Sequence, residues 1–154
     1  MIGWNGRMDG IQGAALRIKL RVLAQGNASR RSHAERYTRL LNGVPGVVTP
    51  TVASYGTPVF HLYVVRVKNR DSVLEKLGQR GIACGIHYPK CVHLQKAYEG
   101  LHRAAGSYPV AEKFAHEILS LPMYPELTAQ QIEQVVAELK AVIAKEVPEP
   151  VLSK

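Results

Sequence analysis

Val59–Val67, reading VFHLYVVRV, is the stretch on which the fold turns. It is short, rich in β-branched and aromatic residues, and bounded by Pro58 and by the polar pair Lys68-Asn69, so it predicts a strand. Immediately downstream, Ser72-Val73-Leu74-Glu75 has the spacing of a capping box, and Gly81 suits a helix end. A helix over about residues 71–79 is expected. Ile82 to His87 then predicts a second short strand, interrupted at Gly85 and stopped by Pro89. Strand, helix and strand in that order fit a small α/β sandwich.

Farther downstream, Pro109 suits the first turn of a helix running to about Ile118. Leu119 to Met123 predicts a strand that Pro122 confines to a sheet edge. Thr128 and Gln131 repeat the capping-box spacing ahead of Ile132, Val135, Val136, Leu139, Val142 and Ile143, the stripe of a final helix. Upstream, Asp9 can cap a helix carrying Ile11, Ala14, Ala15, Ile18, Val22 and Leu23 at spacings of three and four. Gly26-Asn27 is expected to weaken or bend it. A second helical stretch with Ala34, Tyr37, Leu40 and Leu41 ends near Asn42-Gly43, and Gly43, Pro45, Gly46 and Pro50 mark a loop. No repeat or linker divides the chain, so residues 1–147 are read as one domain and 148–154 as a tail.

The 154 residues are 46% hydrophobic and 21% charged, a balance that supports a packed core and opposes wholesale disorder. No apolar run reaches the roughly 20 residues of a membrane span. The opening residues lack the basic-then-apolar layout of a signal peptide. Two cysteines are too few for a disulfide scaffold, and a reducing cytoplasmic setting is expected. The net charge of +8 is uneven. Residues 1–39 hold eight Lys/Arg against Asp9 and Glu35, a net of +6, and the remainder is nearly balanced.

The densest polar cluster is Cys84, His87, Cys91 and His93. These are zinc-ligand types, yet structural zinc sites normally take two ligands from each of two separated segments, so no metal is expected. A buried Cys84 and a solvent-facing Cys91 fit better. A thiolate paired with His87 would lack an orienting carboxylate nearby. His61, in mid-strand, reads as a core residue; His33, His102 and His116 read as helix-surface residues. The N-terminal cations are not interleaved with stacking aromatics and carry no nucleic-acid motif, so a solvated face or a subunit interface explains them more simply. Neither G-x-G-x-x-G, a P-loop, G-x-S-x-G nor H-E-x-x-H occurs.

Four blocks, in order, resemble one family. They are Gly3-Trp4-Asn5-Gly6-Arg7-Met8-Asp9 with Ile11-Gln12 and Ala14-Ala15-Leu16-Arg17; His61-Leu62-Tyr63-Val64-Val65-Arg66; Gly81-Ile82 through Gly85-Ile86-His87-Tyr88-Pro89 with His93-Leu94-Gln95 and Ala97-Tyr98; and Pro109-Val110-Ala111-Glu112 with Leu119-Ser120-Leu121-Pro122-Met123-Tyr124-Pro125. Together they resemble the C-terminal portion of the DegT/DnrJ/StrS sugar aminotransferases, which depend on pyridoxal phosphate. The resemblance implies the small α/β sandwich domain of a fold-type I aminotransferase, preceded by a long N-terminal helix. The family's large domain, with the Schiff-base lysine and the carboxylate facing the pyridine nitrogen, lies upstream of these blocks, and no lysine of this chain matches it.

By the same resemblance, Asn5 reaches across a homodimer to the phosphate of the partner's cofactor. Arg7 either assists an anion or braces the turn. His87 and Tyr88 correspond to substrate-side residues near the sugar nucleotide; the alternative is that His87-Tyr88-Pro89 merely shapes a turn. The implied partners are a second copy of the chain, a keto-sugar nucleotide and an amino donor such as glutamate. Lys90-Cys91 departs from the family, many of whose members carry a proline before the His-Leu-Gln. A non-catalytic binding or regulatory module of the same fold is the alternative function, and a basic nucleic-acid-binding domain a more distant one.

Overall fold

The computed structural model describes residues 6–146. Its elements are α1 (Gly10–Leu41), β1 (Val47–Val48), β2 (Tyr63–Val67), α2 (Arg70–Gln79), α3 (Pro109–Glu117), β3 (Ile118–Leu121) and α4 (Ala129–Glu146). Short 3-10 turns cover Val92–Leu94 and Lys96–Leu101. The expected tail, 148–154, lies outside the described residues, as does Asn5.

The three strands form one antiparallel sheet in the order β1-β2-β3, with Tyr63 opposite Leu121 and Val65 opposite Leu119. Alternation along β2 sends Tyr63, Val65 and Val67 into the core and leaves Val64 and Arg66 on the other face. The core face packs on the C-terminal part of α1, on α2 and on α4, through Tyr37, Leu41, Val73, Leu77, Ile132, Leu139 and Val142. On the opposite face the Arg66 guanidinium lies 4.1 Å from the centroid of the Phe114 ring in α3 and reaches Glu117 at 3.1 Å. The sheet is thus sandwiched, and the α/β architecture expected from the sequence is observed.

Several local readings are corrected. The strand begins at Tyr63 rather than Val59, because Phe60 has a φ of 50° that no extended strand accommodates. His61, read as a core residue, is exposed in consequence. Residues 82–87 form a single bridge, Gly85 with Ser120, instead of a strand. β1 forms inside the loop expected over Gly43–Pro50. Helix α2 starts at Arg70 with Asn69 at its cap, so Ser72 lies inside the first turn and its capping-box reading fails. The Thr128 box is realised: Thr128 N–H donates to Gln131 Oε1 at 2.8 Å, and Gln131 N–H to Thr128 Oγ1 at 3.2 Å.

Helix α1 runs unbroken through Gly26-Asn27 for 32 residues. The glycine serves packing rather than termination. A Cβ at Gly26 would meet Pro125 Cγ at 3.3 Å, so α1 leans there on the segment after β3. Two turns on, His33 Nε2 lies 3.0 Å from the Pro125 carbonyl oxygen. His33 is therefore half-buried, not a surface residue, and His102 sits in a left-handed turn rather than on a helix. Among the described residues no helix is long and apolar enough to cross a membrane.

Candidate functional site

The chain after the Gly85–Ser120 bridge carries His87 and Tyr88 along the edge of β3. The bridge is closed by Ser120 N–H donating to Gly85 O at 2.8 Å and Gly85 N–H to Ser120 O at 3.0 Å. Ser120 pairs with Val64 in the sheet and so shares the α3 face with Arg66. From that face its hydroxyl meets His87 Nδ1 at 2.9 Å. A Cβ on Gly85 would come within 2.9 Å of His87 Cε1, so the imidazole occupies space that only glycine leaves open. The His87–Tyr88 peptide is cis, and the two rings meet edge to face at 5.7 Å.

Tyr88 borders an open groove of about 830 Å³ on the same side of the sheet. Its walls include Tyr98, Tyr108 and Phe114, and its cations are Lys90 and Arg103. One wall is fastened by Glu112. That carboxylate accepts from Gly106 N–H at 2.8 and 3.0 Å and from Tyr108 N–H at 3.1 Å, and lies 3.0 Å from His93 Nε2. The backbone donors, first Gly106 and then Tyr108, hold the Glu112 carboxyl below its usual range. The His93 ring meets Tyr108 edge to face at 4.8 Å. The stretch between His87 and α3, which has little regular structure, is held this way.

The predicted site residues divide accordingly. His87 and Tyr88 are brought together on the groove side of the sheet. Arg7 is exposed ahead of α1, and among the described residues no hydrogen bond or ion pair joins it to either. Cys84 and Cys91 are both half-buried and unpaired in disulfides, correcting the fully buried reading of Cys84 and the solvent-facing reading of Cys91. Burial pushes the Cys84 thiol up to about 11, which leaves little thiolate at neutral pH and argues against a nucleophile. Among the described residues no three His, Cys, Asp or Glu side chains gather as metal ligands. Ser120, Gly85 and Glu112 carry the geometry; all three fall inside the blocks that carry the family resemblance, which assigns them no role at the site. A serine between two leucines in a strand is the one local signal for Ser120, whereas Glu112, 19 positions on from His93, carries none for that contact.

Pyridoxal phosphate requires an amine to condense with the cofactor and a carboxylate against its ring nitrogen. Lys90 is the lysine on the large groove, and no carboxylate lines that groove. The described residues alone therefore do not fit the cofactor, and no chemical step is assigned to it here.

Comparison with known proteins agrees with this incompleteness. The chain is 43% identical over 139 residues to the erythromycin biosynthesis sensory transduction protein EryC1 of Saccharopolyspora erythraea, covering 90% of this chain and 38% of that one. It is 42% identical over 134 residues to the dTDP-3-amino-3,4,6-trideoxy-alpha-D-glucose transaminase of Streptomyces venezuelae, covering 87% and 35%. The crystal structure of S. venezuelae DesV in complex with a ketimine intermediate superposes with a TM-score of 0.86 at 40% identity, covering 92% of this chain and 38% of DesV. The chain thus spans little more than a third of the length of the relatives it matches. A family model matches residues 1–140. With sequence, fold and the ordered motif blocks in agreement, the chain belongs to the DegT/DnrJ/EryC1/StrS aminotransferase family.

Proposed function

We propose that this chain is the C-terminal part of a pyridoxal-phosphate-dependent aminotransferase that acts on keto-sugar nucleotides. In this reading residues 1–147 form the small domain with its connecting helix, and they supply substrate and dimer contacts. The observation that carries it is the unequal coverage: about nine-tenths of this chain aligns to under two-fifths of transaminases such as that of S. venezuelae. The parent enzyme is a cytoplasmic homodimer that takes its amino group from a donor such as glutamate. Asn5 and Arg7 serve the cofactor end of the site, and His87 and Tyr88 the substrate end.

The surface of α1 supports the same reading. Ile11, Ile18 and Val22 form one apolar stripe on its N-terminal half and Leu16, Leu20 and Leu23 a second. Their exposures of 86, 65, 60, 47, 65 and 48% leave both stripes uncovered. A helix apolar on two sides is stable in water when two surfaces cover it. The remainder of a longer chain and a partner subunit supply two. The cations concentrated in residues 1–39 then lie beside a dimer seam and an anionic cofactor and substrate.

This chain alone is inactive in transamination. Adding pyridoxal phosphate is expected to produce no internal-aldimine absorbance and no amino transfer from glutamate. A borohydride-reducible adduct at one lysine, accompanied by turnover, overturns the proposal. A regulatory module of the same fold is the second reading, favoured by the name of the EryC1 relative, a sensory transduction protein. The DNA upstream discriminates between them: an open frame encoding a large domain with its lysine favours the enzyme, and a promoter with a start codon at Met1 favours the module. Nucleic-acid binding is removed by absence of duplex binding at low salt.

A further inference from the structure

We propose that Ser120 is the positioning residue for His87: its buried hydroxyl donates to Nδ1 and fixes the neutral ring with its proton on Nε2, the donor offered to an acceptor oxygen of the ligand. The tautomer follows from geometry alone; the use of Nε2 rests on the reading of His87 as substrate-facing.

Ser120 is only 4% exposed, and its Oγ stands 2.9 Å from Nδ1. A hydroxyl brings one hydrogen and two acceptor sites. If Nδ1 carried the proton, Ser120 would accept, and its own hydrogen would have to find another acceptor in a site sheltered from water. Among the described residues Nδ1 is the one side-chain partner of that oxygen. Leaving a buried donor unmade costs more than a hydrogen bond normally gains, so Ser120 donates and Nδ1 accepts. The neutral ring must then hold its proton on Nε2.

Two further contacts fix where the ring sits. Gly85 lies under it with no Cβ, since one would approach Cε1 to 2.9 Å. The same glycine exchanges both backbone hydrogen bonds with Ser120, so the surface beneath the ring and the group that orients it move as one unit. His87 is nevertheless exposed on its outer side, and among the described residues Nε2 has no hydrogen-bond partner. A fixed donor on a solvent-facing ring suits a hydroxyl, carbonyl or phosphate oxygen.

The test is a long-range proton–nitrogen NMR spectrum of the 15N-labelled chain under conditions in which the imidazole signals show a neutral ring, where the two ring nitrogens of each tautomer resonate far apart. The expected result is His87 predominantly as the Nε2–H form. Ser120→Ala should move the tautomer ratio roughly three- to tenfold toward Nδ1–H, the worth of one buried hydrogen bond, and Ser120→Thr, which keeps the hydroxyl, should restore it. A wild-type spectrum dominated by Nδ1–H overturns the proposal without any variant. So does a ratio unchanged in a folded Ser120→Ala chain. Titration with dTDP-glucose is read separately. A shift at Nε2 supports its use as the ligand donor, and no shift counts against the substrate-facing reading alone, because the tautomer is observed without ligand.

Discussion

The Tyr37 hydroxyl donates to the carbonyl oxygen of Pro122 at 3.1 Å, joining α1 to the end of β3 across 85 residues of sequence. The Tyr37 ring is fully buried and stacks on Tyr63 at 5.0 Å, and Tyr63 shares a 2.7 Å hydrogen bond with Thr38. Tyr37→Phe keeps the ring and strands the carbonyl. It should cost about 1–2 kcal/mol, seen as a lower urea midpoint with an unchanged slope.

The same pair predicts alkaline behaviour. Burial, helped by Cys84 and the neighbouring tyrosines, holds the Tyr37 phenol well above its ordinary value. Burial raises Tyr63 as well, against the opposing hydrogen bond from Thr38. A raised pKa in the folded state means that the stability contributed is complete below the ordinary tyrosine range and is lost as pH rises through the raised values. Phenolate absorbance should therefore show Tyr37 and Tyr63 ionising above the ordinary tyrosine range, with the urea midpoint falling above about pH 10.

Glu112 governs the stretch around Gly106 and Tyr108. Glu112→Gln keeps the shape and weakens the acceptor, so amide exchange at these two positions should become several-fold faster while the β2 and β3 amides stay protected. Because the folded carboxyl is depressed, its contribution is present above the ordinary carboxylate range and lost as pH falls through the depressed value. Protection at Gly106, measured against the intrinsic exchange rate at each pH, should accordingly fall in acid before that of the sheet.

The two thiols should separate under alkylation. Raising the Cys84 thiol from 9.0 to about 11 lowers its thiolate fraction at pH 8 by about a hundredfold. Iodoacetamide followed by mass spectrometry should give a singly modified species at Cys91, which lines the open groove, and the second site should react only once urea unfolds the chain.

The exposed stripes of α1 should drive association rather than folding. Ile18→Glu, at a position already 65% exposed, should leave the unfolding free energy within about 0.5 kcal/mol of the wild type. It should lower the concentration-dependent mass seen by analytical ultracentrifugation. A large loss of stability would mean that the stripe belongs to this domain's own core.

Periodicity and turn chemistry made α3, α4 and their caps legible, because those signals are local: Pro109 stands at the first turn, and Thr128 with Gln131 closes its own box. The strand at 82–87 was misread because its apolar composition is that of a strand, while its pairing is decided by a β3 residue 35 positions away from Gly85. Gly26 reads as a weak point of the helix because propensity cannot register that Pro125 comes close enough to crowd a Cβ. At the site, His87 and Tyr88 emerged from a resemblance, but Ser120 and Glu112 act through contacts that close only in three dimensions.

The length of α1 has a mechanical consequence. Its contacts with the rest of the domain reach back to Gly26, so about 16 residues, or ~24 Å of helix, stand out beyond Pro125. Such a segment is a lever: a tilt of about 10° at its root carries its tip ~4 Å, more than the length of a hydrogen bond. Gly26 against Pro125 is the fulcrum. Under the proposed function, in which Arg7 serves the cofactor, whatever clamps the two stripes also sets the position of Arg7, so docking at this helix and assembly of that end of the site become one event rather than two.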